Sequence, residues 1–418
     1  MLEKTLLTLY RETRAESVRF CESLEVEDYG LQAEDFVSPP KWHLAHTSWF
    51  FETFILKPFV DSYRPLEPLF EVLFNSYYNG IGEQFPRSKR GLLSRPTVAE
   101  VLAYRAEVDA MMEQLLGNPD RIEKEICSRT ALGIEHERQH QELFFTDLKY
   151  SLFVNPLYPA YRATCSRDEP HPGVLSWQGF DGGLVETGFA GDGFCFDNEL
   201  PRHKTYLQPF TLADRLVSNR EYQAFIDDGG YRRPELWLAD GWTKVIDEGW
   251  SAPLYWVDRG GEPMEFILAG LRARQDAHPV CHVSGYEADA FARWAGARLP
   301  TEHEWEHAAN SAPGPSAGVD DQVFHPQPAT GNGLHHLYGD CWQWTQSAYS
   351  PYPGYKHSAG AIGEYNGKFM CNQWVLRGGS CVSRAGHLRP SYRNFFYPPD
   401  RWQFSGIRLA RSIQDRQS

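Results

Sequence analysis

The sequence lacks the features that would place the protein in a membrane, outside the cell or on nucleic acid. No apolar run approaches the roughly 18–20 residues needed to span a bilayer. Residues 1–20 lack an apolar segment followed by a small-residue cleavage site, so no secretory signal is expected. The net charge of −14 disfavours nucleic acid or an anionic membrane as the main partner. We therefore expect a cytoplasmic protein.

Paired cysteines are also missing. The eight cysteines are scattered and form no C-x-x-C pair, which favours reduced thiols over a disulfide framework. Hydrophobic residues make up 42% of the chain and aromatic residues 14%, enough for a large core. A length of 418 residues allows two or three domains. Oligomeric state leaves no signal in the sequence.

The pattern of apolar residues changes near residue 150, which predicts an α+β multidomain protein. Residues 1–150 show helical periodicity in four segments, as in a helix bundle. One segment starts at Thr97 with Glu100 three residues later, a capping-box pattern, and another is entered through Pro39-Pro40. Residues 151–175 are Pro-rich and predict a linker. Residues 176–418 contain short, interrupted apolar runs, which predict a loop-rich α+β fold with a clear helix over 284–296.

The string "HERQH" (136–140) fits H-E-x-x-H, the zinc-protease helix pattern. In a helix, His136 and His140 lie one turn apart on one face and can reach one metal ion. The same spacing arises by chance in ordinary helices. A zinc protease would use Glu137 as general base and needs a third ligand downstream. Glu142 and Asp147 are available there, but no H-x-x-G-x-x-H extension follows.

A second predicted helix carries "KWHLAHTSWFFE" (41–52), with His43 and His46. Two helices of a bundle can direct ligands into a shared core, so a third histidine could complete a three-histidine face with open coordination positions. Imidazole suits zinc, copper, iron or nickel, so the ligands alone do not identify the metal. The Trp/Phe-rich run beside His46 could form a dry wall, and His43 could be a packing residue.

The second half carries "RLPTEHEWEHAA" (298–309), "GDCWQWTQS" (339–347) and "VLRGGSCVSRAGHLRPSYRNFF" (375–396). These phrases closely resemble the formylglycine-generating-enzyme/sulfatase-modifying-factor domain, a loop-rich fold related to C-type lectins. The resemblance covers about residues 176–413. Formylglycine-generating enzymes hold copper with a cysteine pair after G-G-S, whereas the matching positions here are Ser383 and Leu388, and Cys381 is out of register. The fold is implied and that activity is not.

The N-terminal half resembles the DinB-type metal-binding bundle. A DinB-like bundle followed by the lectin-like domain resembles the ergothioneine-biosynthesis sulfoxide synthases (EgtB type), non-haem iron enzymes. The resemblance implies iron(II) held by His46, His136 and His140, with Glu137 structural. It implies O₂-dependent coupling of a thiol to C2 of the imidazole of Nα-trimethylhistidine (hercynine). Related lectin-like domains often hold calcium, so a structural Ca²⁺ stays open.

The same resemblance implies the substrate contacts. Gln139 and Asn394 match positions that contact Nα-trimethylhistidine, and Phe395 and Phe396 could face its trimethylammonium group by cation–π attraction. Relatives that use γ-glutamylcysteine carry Trp-Asp after this asparagine. The carboxylate is missing here, which favours free cysteine as the sulfur donor.

Two further groups complete the predicted site. Arg87 and Arg90, in "QFPRSKRGLLSRP" (84–96), suit a substrate carboxylate, although a solvated basic loop would look the same. Oxygen activation in the family relies on a tyrosine proton donor. "LFNSYYNGIG" (73–82) offers Tyr77 and Tyr78, of which the resemblance favours Tyr78.

Alternatives stay open. An ovothiol-type synthase would use unmethylated histidine, but those enzymes usually carry an added methyltransferase domain. A selenium-using relative shares the architecture. A zinc hydrolase built on H-E-x-x-H and a carbohydrate- or protein-binding module belong to other classes, and three histidines on two helices disfavour the binding module.

Overall fold

The computed structural model describes residues 5–118, 122–163, 173–315, 323–330 and 333–413. The chain divides into two compact units. The helical unit comprises Met1–Arg162 together with His357–Tyr365, and the mixed unit comprises Ala163–Lys356 together with Asn366–Ser418. Among the described residues, no helix combines the length and apolarity needed to cross a membrane.

The helical unit is a bundle, as the sequence predicts. Its α-helices are α1 (Leu6–Phe20), α2 (Pro40–Phe51), α3 (Lys57–Phe59), α4 (Phe70–Phe74), α5 (Val98–Leu116) and α6 (Lys124–Phe153). Helix α2 packs on α5 and α6, and α1 packs on α6. The core between them is unusually aromatic, with Tyr10, Trp49, Phe50, Phe51, Tyr104 and Phe145 all buried.

Two local predictions in this unit are confirmed. Thr97 caps α5, and both bonds of the capping box with Glu100 are present. Helix α2 begins at Pro40, where the missing N–H costs no helical bond. After α2 the chain changes to a π-helical turn over Glu52–Leu56. Nothing in the residue pattern signals this change, which places the buried Glu52 carboxylate against tyrosine hydroxyls.

Gly133 lets α6 approach α2 closely, one turn before His136. A Cβ atom at this position would lie 2.5 Å from a ring carbon of Phe51, which is closer than real side-chain contacts. The two helices that carry the three predicted metal ligands are therefore held together by a residue without a side chain.

The mixed unit contains four small sheets and four helices among its described residues. The strands are β1 (Trp177–Phe180), β2 (Gly183–Thr187), β3 (His203–Leu207), β4 (Phe210–Ala213), β5 (Trp256–Arg259), β6 (Glu262–Ile267), β7 (Gly270–Ala273), β8 (Trp342–Ala348), β9 (Trp374–Arg377), β10 (Asn394–Phe396), β11 (Ser405–Gly406) and β12 (Ala410–Ser412). The helices are α7 (Asn219–Asp227), α8 (Ala239–Glu248), α9 (Gly285–Trp294) and α10 (Glu302–Asn310). The predicted helix over 284–296 is α9, capped by Ser284.

The strands pair as β1-β4-β12, β10-β9-β8-β11, β2-β3 and β5-β6-β7. All pairs are antiparallel except β11 with β8. Gly378 follows β9 with a φ of 101°, and a Cβ atom there would lie 2.4 Å from the Leu337 carbonyl oxygen. The fold therefore requires glycine at Gly378 of the "LRGGS" motif, because no side chain fits this backbone position.

The carboxylates of "TEHEWEH" also serve the fold. Glu302, the first residue of α10, accepts hydrogen bonds from the guanidinium groups of Arg377 (2.8 Å) and Arg393 (2.8 and 3.0 Å). Arg377 also contacts Glu306 at 3.0 Å. All four side chains are buried. Although burial alone would raise it, the two arginines lower the pKa of Glu302 to about 2. We call these four residues the Glu302 cluster.

The predicted division into 1–150, 151–175 and 176–418 stays a prediction. Helix α6 continues to Phe153, and the helical unit continues to Arg162. Residues 164–172 of the predicted linker lie outside the described residues. Seven cysteines fall within the described ranges, and all seven are free thiols.

Candidate metal centre

The structure brings His46, His136 and His140 together inside the helical unit. His46 lies on α2, and the other two lie one turn apart on α6. One ligand nitrogen from each ring lies within 4.8 Å of the others, and the Nε2 atoms of His46 and His136 are 3.2 Å apart. Within the part of the chain that the structure describes, this is the one group of three with metal-ligand spacing. We call it the histidine cluster.

The three imidazoles are held in the neutral form that binds metals. Burial lowers the pKa of His136 to about 3 and places the pKa values of His46 and His140 well below 6.5. The Nδ1–H of His46 donates to the Phe74 carbonyl oxygen at 2.6 Å, which leaves the lone pair on Nε2, facing His136. Three converging neutral imidazoles fit a transition-metal ion such as iron(II) or zinc(II).

Aromatic rings wall the cluster, as the Trp/Phe-rich run predicts. Trp42 stacks on His46 with ring centroids 4.6 Å apart and planes 11° apart. Trp49 stacks on His46 as well, at 5.4 Å and 17°, and Phe50 lies against His136 at 4.5 Å. These residues come from α2, whose apolar and ligand positions therefore share one surface. The wall explains why burial dominates the pKa values of the imidazoles.

His43 does more than pack. Its Nδ1 lies 2.9 Å from Nδ1 of His140, and its Nε2 lies 3.2 Å from the Oδ2 atom of Asp147. The sequence offered Asp147 only as a possible third ligand of a zinc protease. In the structure the Asp147 carboxylate contacts His43 rather than joining the three-histidine group.

The environment of Glu137 does not suit the general base of a protease. Its carboxylate accepts hydrogen bonds from Arg14 (2.9 Å), Arg105 and Ser17 (2.6 Å). Although burial alone would raise it, the two arginines lower the pKa of Glu137 to about 2. A carboxylate bound at both oxygens and so weakly basic is a poor general base. The prediction of a structural role agrees with this environment.

The two predicted carboxylate-binding arginines have different environments. Arg87 is exposed, and its guanidinium donates to the Phe36 carbonyl oxygen. Arg90 is only 4% exposed, and its Cζ atom lies 3.4 Å from the centroid of the Trp42 ring. Its Nη1 donates to Ser38 at 2.9 Å, and no carboxylate among the described residues lies within ion-pair distance of it. Burial lowers the pKa of Arg90 well below its usual range.

Arg90, Trp42 and His46 form a continuous stack. The guanidinium covers the indole ring, and the indole covers the ligand imidazole. The stack places a buried cation one ring away from the histidine cluster. Such a cation is expensive without a partner and suits an anionic group of a bound molecule.

The predicted tyrosines lie beside the aromatic wall. Tyr78 is fully buried and contacts the Trp49 ring at a centroid distance of 5.5 Å. Its hydroxyl lies 3.5 Å from that of Tyr77, and the rings stack at 4.6 Å. Burial and the neighbouring phenol of Tyr77 raise the pKa of Tyr78 well above 10, so this hydroxyl is protonated at neutral pH.

Sequence reasoning missed Tyr365, which belongs to the helical unit although it lies far along the chain. Its hydroxyl donates to Oε1 of Gln139, and its ring lies 5.7 Å from the His136 ring in an edge-to-face arrangement. Glu364 next to it accepts hydrogen bonds from the backbone N–H groups of Asn79 (3.1 Å) and Gly80 (2.7 Å). A tertiary placement of this kind leaves no local pattern in "AIGEYNGK".

The remaining predicted contacts, Asn394, Phe395 and Phe396, form β10 of the mixed unit. Asn394 accepts a hydrogen bond from the backbone N–H of Phe395 at 2.9 Å. The Phe395 ring stacks on Tyr349 at 4.0 Å and 9°. Phe396 meets Trp402 edge-to-face at 6.1 Å. One face of Phe395 is therefore already covered within its own unit.

Comparison with known proteins agrees with this architecture. Residues 9–144 match the DinB superfamily, and residues 179–327 and 322–413 match the sulfatase-modifying factor enzyme 1-like domain. Three curated relatives named hercynine oxygenase are each 31% identical to this chain. They come from Mycolicibacterium thermoresistibile (93% of this chain, 90% of the relative), Mycobacterium tuberculosis (91% and 93%) and Mycolicibacterium smegmatis (96% and 99%).

Proposed function

The chain belongs to the hercynine oxygenase family, and from that premise we propose that it is an iron(II)- and O₂-dependent sulfoxide synthase. It is an oxidoreductase, and the proposed reaction joins the sulfur of cysteine to C2 of the imidazole of Nα-trimethylhistidine. The product is a sulfoxide of the ergothioneine pathway. The observation that carries this proposal is the convergence of three neutral imidazoles in the helical unit, two of them buried and that of His140 half-buried.

His46, His136 and His140 would hold the iron through one nitrogen each, and three coordination positions would stay open for the reactants. When bound, iron(II) supplies the one-electron chemistry with O₂ and the acidity that converts a thiol into a thiolate. The protein supplies orientation and a dry environment, which Trp42, Trp49 and Phe50 provide around the imidazoles. The environment of Glu137 argues against a zinc hydrolase, because that mechanism needs an available general base.

Arg90 is the better candidate for the cysteine carboxylate. It is buried one ring away from His46 and has no carboxylate partner within the described part of the chain, whereas Arg87 is exposed and bound to a backbone carbonyl group. A substrate carboxylate beside Arg90 would neutralise a cation that is costly to bury. Cysteine is preferred over γ-glutamylcysteine because Phe396 stands where relatives that use the dipeptide carry Asp.

Gln139 and Tyr365 would orient Nα-trimethylhistidine. The tyrosine hydroxyl holds the Gln139 amide oxygen, which fixes this side chain beside the two ligands of α6. Asn394, Phe395 and Phe396 remain proposed contacts of the same substrate. Of the two phenylalanines, Phe396 is the better cation–π partner, because Tyr349 covers one face of Phe395.

Tyr78 is the favoured proton donor of the predicted pair. Its raised pKa keeps the hydroxyl protonated at neutral pH, which a donor requires, and its oxygen accepts from the Tyr77 hydroxyl at 3.5 Å. Tyr365, whose ring lies 5.7 Å from that of His136, is a third candidate, and comparison of the Tyr78→Phe, Tyr77→Phe and Tyr365→Phe enzymes would rank the three.

The deciding experiment is anaerobic loading of the full chain with iron(II), followed by cysteine, Nα-trimethylhistidine and O₂, with mass spectrometry of the products. A coupled sulfoxide that requires both iron and O₂ is the expected result. Parallel reactions with γ-glutamylcysteine, unmethylated histidine and a selenium donor test the substrate assignments. Peptide cleavage with zinc in the absence of any coupling would overturn the proposal.

A further inference from the structure

The three histidines of the cluster differ in what holds their second nitrogen. His46 Nδ1 donates to a backbone carbonyl oxygen, that of Phe74. His136 Nδ1 is buried and has no hydrogen-bond partner among the described residues. His140 Nδ1 faces Nδ1 of His43 at 2.9 Å, and His43 Nε2 faces the Asp147 carboxylate at 3.2 Å. A negative charge is therefore connected to one member of the cluster and not to the other two.

The direction of the hydrogen bonds in this chain follows from the acceptor at its end. The Asp147 carboxylate can only accept, so His43 carries its proton on Nε2 and donates it to Oδ2. His43 Nδ1 is then an acceptor, and His140 must donate to it from Nδ1. The lone pair of His140 consequently lies on Nε2, the nitrogen left for the metal.

We propose that His43 and Asp147 are positioning residues that fix the tautomer of the metal ligand His140 and increase its electron donation to the metal. The inference rests on the metal centre of the proposed function. Outer carboxylate partners of this kind orient a ligand imidazole and raise its basicity. Asp147 acts through His43, and neither residue touches the substrates.

The dyad is itself held in place, as a positioning element must be. Asp147 Oδ2 accepts the backbone N–H of Ser38 at 2.8 Å, and Oδ1 lies 3.3 Å from the hydroxyl of Thr146. Asp147 and His43 are 2% and 5% exposed, so water does not screen the carboxylate. The hydroxyl of Ser38 also accepts from Arg90, so the segment that anchors the dyad anchors the proposed carboxylate-binding group too.

The variant Asp147→Asn separates charge from hydrogen bonding. With the amide oxygen of the new side chain at the Oδ2 position, it still accepts from both Ser38 and His43, and only the negative charge is lost. Cobalt(II) is the probe, because its affinity and its visible absorption report the ligand field without turnover. We expect cobalt(II) affinity of the full chain to fall roughly tenfold and the absorption bands to shift.

His43 variants test the other half of the dyad. His43→Asn leaves an acceptor near the Nδ1 position and should lose about as much affinity as Asp147→Asn, whereas His43→Leu should lose roughly a hundredfold. In the double variant His43→Asn/Asp147→Asn, loss of the carboxylate should not lower cobalt(II) affinity further, because His43→Asn alone already breaks the connection between Asp147 and His140. This non-additivity is the signature of action through one path.

Glu52→Gln is the matched control. Glu52 is a buried carboxylate of the same unit that accepts from Tyr63 and Tyr104 and does not contact the imidazoles. Its variant can lose thermal stability but should bind cobalt(II) with wild-type affinity and spectrum. A general effect of lost buried charge would instead weaken binding in both variants.

Three results would overturn the inference. One is an Asp147→Asn protein with unchanged cobalt(II) affinity and absorption. Another is additive loss in the double variant. The third is X-ray absorption showing four imidazoles on cobalt(II) in the wild type and three in His43→Asn, which would make His43 a ligand. A wild-type chain that binds no cobalt(II) would remove the metal centre, and with it the proposed function as well as the dyad's role.

Discussion

The Glu302 cluster of the mixed unit is buried, and so are two of the three rings of the histidine cluster of the helical unit, yet the two clusters arrange their polar atoms in opposite ways. In the Glu302 cluster, carboxylates and guanidinium groups contact one another, so the charges are neutralised inside the protein. In the histidine cluster, imidazole nitrogens face one another, and the nearby cation Arg90 has no carboxylate partner among the described residues. The first arrangement is complete as it stands, whereas the second is the one that we propose a metal cation and an anionic substrate group to complete.

This difference separates residues that serve the fold from residues that serve the reaction. The motif "TEHEWEH" looks catalytic because it contains closely spaced carboxylates and histidines, but Glu302 and Glu306 are used up by core arginines. The motif "HERQH" also combines histidines with a carboxylate, but here the histidines converge while Glu137 is paired with two arginines. Buried polar groups alone do not indicate a functional site. Buried polar groups that the described residues leave without a complementary partner do.

The largest expected effect is loss of the metal on His140→Ala. The wild-type chain at a metal concentration roughly a thousandfold above its dissociation constant should gain about 4 kcal/mol in free energy of unfolding. The variant should show no such gain in thermal unfolding with and without iron(II), because two imidazoles remain. Full stabilisation of the variant by iron(II) would show that His140 is not a ligand.

Next in size is Glu302→Gln, which leaves two buried guanidinium groups without a full counter-charge. We expect the free energy of unfolding to fall by about 3–5 kcal/mol in urea denaturation. The exposed pair Glu235–Arg233 supplies the control, and Glu235→Gln should change stability by no more than about 0.5 kcal/mol. Metal affinity in the folded Glu302→Gln protein should match that of the wild type; a loss there would break the distinction between the two clusters.

Arg90→Met should behave in the opposite way. Because no carboxylate is left unpaired, stability should not fall as it does in Glu302→Gln. The KM for cysteine should rise about 10–100-fold, the equivalent of about 1.5–3 kcal/mol for a charge-assisted hydrogen bond, with iron(II) affinity unchanged. Arg87→Met, at an exposed position, is the control. An unchanged KM in Arg90→Met together with a raised KM in Arg87→Met would move the carboxylate site to the exposed arginine.

The smallest effect is a pH dependence of the metal-free protein. The folded protein holds the pKa of His136 at about 3, against about 6.5 in an unfolded chain. As the pH falls below 6.5, the unfolded chain takes up a proton that the folded protein refuses, so stability falls by about 1.4 kcal/mol per pH unit for this group. In the His136→Asn variant, the free energy of unfolding should depend on pH less steeply, by about 1.4 kcal/mol per pH unit. Denaturation series between about pH 6.5 and about pH 4.5 measure this difference. An identical slope would show that His136 is protonated in the folded protein.

Much of the helical unit is predictable from the sequence because its signals are local. Thr97 and Glu100, which lie three residues apart, indicate the start of a helix. His136 and His140 share a face because of helical geometry alone. The meeting of His46 with the α6 histidines already required tertiary packing, which the resemblance to a known family supplied. The gap between α2 and α6 closes at Gly133, a residue that no metal-site pattern includes.

The parts that escaped prediction depend on distant contacts. The sequence could not distinguish Arg90 from Arg87, because their difference is burial against Trp42. It could not give His43 a partner, because Asp147 approaches it from another helix. Tyr365 is the extreme case: it meets Gln139 across 226 positions of sequence, where no periodicity or spacing carries information.

The short segment that carries Tyr365 constrains how this protein can be cut or recombined. Residues 357–365 belong to the helical unit, yet the chain reaches them only after passing through residues 163–356. A gene shortened after codon 162 would encode every imidazole of the cluster while omitting Tyr365 and the Glu364 carboxylate that grips Asn79 and Gly80. Exchange of the C-terminal half between homologues would likewise replace this tyrosine and its contact with Gln139.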